Sequence, residues 1–208
     1  MSVVVLLDNG HGANTAGKCS PDGLFKEWQF SRKVVRDIHK ELVAQGYDVR
    51  ILVPEDSDIS LAVRVARTNE VCAKYGKDNV LFVSIHANAA PPVDGKWHNA
   101  RGWCIYTSKG KTTSDKLASY IYNEAVNNFV GHTIRKDMSD GDTDWEANFA
   151  VLRNTYCPAV VSENFFQDNK EDVAYITSEV GHRAIVKTHV DGIINFIKDH
   201  YGKGEIKG

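Results

Sequence analysis

Three short, unbroken apolar runs stand out along the chain: Val3-Val4-Val5-Leu6-Leu7, Val80-Leu81-Phe82-Val83 and Ala159-Val160-Val161. Runs of this length without alternation suit strands buried on both faces of a parallel sheet. Between them the apolar positions fall at helical spacing. Phe30, Val34, Ile38 and Leu42 form one stripe, which predicts a helix over about 25–44 stopped by Gly46. A second strand is expected over 47–53. A helix is expected over 60–75, carrying Arg64 and Arg67 and capped by Ser57 or Asp58. The third strand is placed at 80–85, another at 102–106, and a helix at 114–128. Two short strands, 149–152 and 159–161, should flank a turn at 154–158. A last helix over 180–200 puts Ile185, His189, Ile193 and Phe196 on one side. The stretch 87–102, with Pro91, Pro92 and Gly95, reads as a long loop, and long loops in compact domains are usually functional.

Strands alternating with helices predict one α/β domain, a mostly parallel twisted sheet with helices on both faces. The domain should span 1–201, with 202–208 as a frayed tail. With 208 residues, 42% apolar and 25% charged, the chain has the composition of one globular domain with a real core. A net charge of −2 gives no basic footprint for nucleic acid. No apolar segment is long enough to span a membrane, so no stable membrane association is expected. Met1-Ser2-Val3 runs straight towards a strand without a charged region and a cleavage site. The expected location is therefore the cytoplasm as synthesised, or outside the cell if a signal has been removed. A monomer is expected. Cys19, Cys72, Cys104 and Cys157 are widely spaced with no C-x-x-C pair, which argues against a thiolate metal knuckle and for mostly buried, small apolar residues.

The chemistry gathers where the apolar runs end. His11 follows the first run, His86 the second, and Glu163 the third. Ligands of open α/β sheets bind outside the carboxyl ends of the strands, so two imidazoles and a carboxylate should meet there. That set suits zinc with an attendant acid/base. Each residue also has a plainer reading. His11 lies between Gly10 and Gly12, which either expose an imidazole by a sharp turn or simply mark a loop. Glu27 falls on the core side of its helix, where a carboxylate must be paired or metal-bound, or else it is a first-turn acid in solvent. His86 could be a satisfied core histidine, and Ser84 and Asn88 offer it hydrogen bonds. Glu163 could form a strand-end ion pair with Arg153 or Arg64. One rival motif exists: Gly12-Ala13-Asn14-Thr15-Ala16-Gly17-Lys18 matches a phosphate loop. Cys19 then stands where a magnesium-binding hydroxyl belongs, and Ser20-Pro21-Asp22-Gly23 is turn chemistry where a helix should open. A nucleotide hydrolase is thus the weaker alternative.

The order Leu7-Asp8-Asn9-Gly10-His11-Gly12, Glu27, Leu61-x-x-Arg64, Ser84-Ile85-His86-Ala87-Asn88, Val151-Leu152-Arg153 and Pro158-Ala159-Val160-x-x-Glu163 resembles zinc-dependent N-acetylmuramoyl-L-alanine amidases of the amidase-3 type. The resemblance implies one zinc ion held by His11, Glu27 and His86, with Glu163 as catalytic acid/base. It implies cleavage of the amide between N-acetylmuramic acid and L-alanine, in peptidoglycan or muropeptides. Arg153, Asn88 and Asn164 are then expected to contact substrate, with Arg153 on a stem-peptide carboxylate, while Asp8 and Arg64 support the ligands from behind. The family often shows Glu-x-Gly-Phe after its catalytic acid, whereas this chain reads Glu163-Asn164-Phe165-Phe166. No inserted helix that would block the metal is visible in 87–102. The pattern also resembles phage lysis enzymes released to the wall, with a non-catalytic wall-binding domain as a further alternative.

Overall fold

A computed structural model describes residues 3–202. The expectations for Met1 and Ser2 and for most of the 202–208 tail lie outside the described residues. The elements run β1 (Val4–Asn9), α1 (Glu27–Ala44), β2 (Asp48–Ile51), α2 (Leu61–Tyr75), β3 (Val80–Asn88), β4 (Cys104–Thr107), α3 (Thr113–Asn128), β5 (Trp145–Glu146), α4 (Ala150–Asn154), β6 (Ala159–Phe166), α5 (Lys170–Thr177) and α6 (Glu179–His200). The strands form one sheet of six in the order β2-β1-β3-β6-β4-β5. All neighbours are parallel except β4 and β6. The three apolar runs are the adjacent central strands β1, β3 and β6, so their carboxyl ends share one edge.

Each central strand is buried on both sides, which is why its apolar run does not alternate. Val5, Leu7, Leu81, Val83 and Val160 pack against α1, α3 and α6. Val4, Leu6, Phe82, Ala159 and Val161 pack with Cys72 of α2 and Val151 and Leu152 of α4. The domain is therefore the helix-flanked, mostly parallel α/β sheet that the pattern predicts.

Several boundaries differ from the sequence reading. Residues 150–154 form a helical turn rather than a strand. Val151 and Leu152 both bury beneath α2, and a short apolar run does not distinguish a strand from a buried helical turn. Ser60 caps α2 by accepting from the Val63 N–H, while Asp58 instead accepts from Thr15 Oγ1. The sequence reading missed α5, whose cap is Asn169, accepting from the N–H groups of Glu171 and Asp172. β3 and β6 extend beyond their apolar runs, so His86 and Glu163 sit within strands and face each other in register. No helix opens after Gly17-Lys18; α1 begins only at Glu27, which removes the phosphate-loop geometry. The stretch 89–103 holds no helix, and all four cysteines are free, three of them buried.

Candidate metal centre and cleft

β1 delivers His11, the first turn of α1 delivers Glu27, and β3 delivers His86. Their ligand atoms all lie within 4.8 Å of one another. Glu27 Oε1 is 3.1 Å from His86 Nδ1 and 3.4 Å from His11 Nε2. The carboxylate is 1% exposed, and both imidazoles are about one-fifth exposed. The Ala87 N–H also donates to Oε1, whereas the buried Oε2 has no partner among the described residues. Burial alone would raise the Glu27 carboxyl, but the two histidines outweigh it and hold it well below the usual carboxylate range. Burial works to lower His86, and Glu27 more than offsets that, so the imidazole is raised. A buried anion with an orphan oxygen and two converging ring nitrogens fits a cation that takes nitrogen and oxygen ligands.

The backbone around His11 is held from several directions. His11 itself takes φ 59°, in the left-handed region, and its two glycines do not. Their role is room. A Cβ at position 10 would lie 2.3 Å from the His86 ring, and one at position 12 would lie 1.9 Å from the Asp58 nitrogen. Arg32 Nη1 donates to the His11 carbonyl at 3.0 Å. Arg64 donates to the Asn9 carbonyl at 2.7 Å and forms a buried ion pair with Asp8. Asp8 also accepts from Ser84 Oγ at 2.6 Å, which ties β1 to β3 behind the ligands. Asp8, His11, Asp58, Arg64, His86 and Val151 line a cavity of about 300 Å³.

Glu163 faces His86 across the β3–β6 ladder. Its Oε2 is buried without a hydrogen-bond partner, and neither Arg153 nor Arg64 pairs with it. Burial and the nearby Glu27 charge, against a partial offset from His86, push its carboxyl up to about 7. An acid so placed can hold or release a proton near neutral pH.

The model of a family described as "N-acetylmuramoyl-L-alanine amidase" matches residues 5–195. The chain belongs to this amidase family. It is 30% identical over 199 residues to an endolysin of Bacillus phage SPP1, covering 95% of this chain and 67% of that protein. It is also 30% identical over 231 residues to the N-acetylmuramoyl-L-alanine amidase AmiC of Neisseria meningitidis, covering 93% of this chain and 52% of that one. Among solved structures, an N-acetylmuramoyl-L-alanine amidase from Clostridium difficile 630 superposes with a TM-score of 0.78 at 24% identity. That match covers 98% of this chain and 99% of the other, and it is a likeness of fold.

Other residues of this amidase chain lie where the sequence did not place them. Asn164 is fully buried. Its Oδ1 accepts from the Trp103 indole at 3.0 Å, and its Nδ2 donates to the His86 carbonyl and to Ser162. With every polar atom occupied inside the protein, it positions β3 and β6 rather than facing substrate. Beneath it, Ser162 Oγ lies 2.8 Å from Nε2 of the buried His189 on α6. Asn88 ends β3, with its Oδ1 on the Ala89 N–H at 2.8 Å. Arg153 is exposed on α4, bonded to Asn148 and Asn154, and it lines a separate cavity of about 620 Å³ with Lys109 and Glu146.

Phe165 stands where the family often has glycine, yet it adopts φ 67°. A left-handed phenylalanine is strained, and its ring is fully buried against Phe129, Tyr175 and His132. The left-handed backbone at Phe165 is sustained by this aromatic packing. The sequence reading also passed over Arg135, which lies in an irregular segment with no periodicity to mark it.

Proposed function

We propose that the chain binds one zinc ion through His11, Glu27 and His86 and hydrolyses the amide joining the lactyl group of N-acetylmuramic acid to L-alanine in peptidoglycan. The observation that carries this reading is the convergence of two imidazole nitrogens and a buried carboxylate within 4.8 Å, with Glu163 facing His86 across the strand ladder. Three protein ligands with an open position form the usual catalytic zinc set. When bound, the ion supplies Lewis acidity, which polarises the scissile carbonyl and acidifies a water. Glu163 would take the proton from the attacking water and return it to the departing alanine nitrogen. Asp8, Arg64 and Arg32 hold the His11 loop so that the ligands are set before substrate arrives. The likeness to a phage endolysin supports a lytic role at the wall. The described residues contain no helix long and apolar enough to cross a membrane.

The test is product analysis on purified sacculi. New alanine amino termini are the expected product, and new reducing sugar ends would instead mark a glycosidic cut. Glu163→Gln should keep its metal and its fold while losing ~10²–10⁴ of the rate, the range of general acid–base catalysis. Near-normal turnover by that variant would remove Glu163 from proton transfer.

A further inference from the structure

On the face of the sheet that carries Glu163 lies a guanidinium with no acid to pair with. Trp103 bridges to Ile134 in parallel, and the Arg135 N–H donates to the Trp103 carbonyl at 2.8 Å. Side chains alternate along such paired segments. Trp103, Ile105 and Ile134 pack into the cluster beneath the sheet with α3. Tyr106 belongs to the opposite cluster with Val161, so Cys104, Tyr106 and Arg135 share the other face with Glu163. Cys104 is the direct cross-strand neighbour of Glu163. Arg135 lies one strand position further, so its backbone is about 9–10 Å from that of Glu163 at ~4.8 Å per strand.

The Arg135 guanidinium carbon sits 5.3 Å from the Trp145 ring centroid and 5.1 Å from that of Phe166. Trp145 is held beside Tyr106 in register, and Tyr106 packs on Phe149. The rings fix the cation in place while leaving its fork unspent. Among the described residues the Arg135 side chain makes no ion pair, not even with the acids of the adjoining 137–144 turn. The Trp145 indole N–H is likewise buried without an acceptor. A half-buried, immobilised guanidinium with free donors is matched to a carboxylate, which it can bind through both oxygens.

We propose that Arg135 and its aromatic shelf form a subsite for a carboxylate of the stem peptide, on the second or third residue counted from the alanine whose amide is cut. The proposal rests on the amidase reading above. An extended peptide advances ~3.3–3.6 Å per residue, so two to three residues cover the distance from Glu163 to Arg135.

The experiment is calorimetric titration of the full chain in the Glu163→Gln background, where bound peptide is not cut. The probes are a muramoyl tripeptide with free carboxylates and counterparts amidated singly at the second or third residue. One amidated probe should bind about ten- to a hundredfold more weakly than the free acid, as expected for a bidentate charge-assisted contact. Arg135→Gln should bind acid and amide alike, at the weaker affinity. Arg135→Lys keeps the charge and the contact with the rings, so it should fold as the parent does and still lose most of the preference. The proposal is overturned if the parent binds acid and amide equally. It is also overturned if Arg135→Gln or Arg135→Lys keeps the full preference, or if the preference disappears only in Arg153→Gln. Failure of the amidase reading shows separately, as the absence of new alanine amino termini when the wild-type chain is incubated with the free-acid probe.

Discussion

The two ends of the sheet are built in different ways. At the β1–β3 end, each side chain is fixed by an element with a deep reason to be where it is. His11 and His86 extend core strands, Glu27 lies in the first turn of a long helix, and two buried arginines hold the connecting backbone. At the β4–β5 end the strands are short, the linking segments are irregular, and Tyr106, Trp145, Phe149 and Arg153 lie at or near the surface. The first end is suited to chemistry that tolerates little displacement. The second is suited to recognition, where loops can change without unsettling the core.

The comparison can be broken most forcefully at His86. His86→Ala should lower metal affinity by more than the ~10–100-fold that loss of a supporting residue costs, and should abolish turnover. Metal analysis of the purified variant checks this, and full occupancy would remove His86 from the ligand set. Next in size is Asp8→Ala, which removes the buried acid from Arg64 and leaves it the half-exposed Asp58 at 3.4 Å and backbone carbonyls. A broken buried pair costs about 3–5 kcal/mol, so a denaturant melt should show a large loss even though Asp8 touches no ligand. A change under 1 kcal/mol would mean that Asp58 and the backbone carbonyls satisfy Arg64 without Asp8.

Phe165 offers a finer probe. Phe165→Ala should cost about 3–5 kcal/mol for the lost ring. Phe165→Gly should be roughly 1 kcal/mol more stable than Phe165→Ala, because glycine relieves the left-handed strain. Ordinarily glycine is the worse of the two. Equal or reversed melts would show that the backbone relaxes when the ring is gone. The smallest effect belongs to the recognition end. Arg153→Ala should shift stability by no more than about 0.5 kcal/mol, since its partners are exposed asparagine side chains. A larger loss in a thermal melt would assign it a structural role.

This division also explains what could be read from the chain alone. His11, Glu27, His86 and Glu163 are brought to one sheet edge by apolar runs and a helical stripe, and such periodicities are local properties of sequence. Asn164 differs because β6 runs on to Phe166, past the end of its apolar run, and turns this side chain inward to Trp103. Arg135 carried no signal because its setting is made by Trp145 and Phe166, which come from different segments. The same holds for Val151 and Leu152, whose helical turn is decided by the α2 surface they cover.

The left-handed phenylalanine bears on how this lineage can change. A glycine at position 165 would take this left-handed backbone without strain and leave its neighbours at liberty. With Phe165 in place, the end of β6 after Glu163 depends on Phe129, His132 and Tyr175, from the end of α3, the loop after it and α5. Mutations at those distant positions reach the backbone beside Glu163, and a change of Phe165 to glycine would leave a hole. Position 165 and the aromatic cluster are thus tied together: a change in one must be compatible with the other. Variation at 129, 132 and 175 should be read as variation of the strand beside Glu163, although all three lie outside that strand.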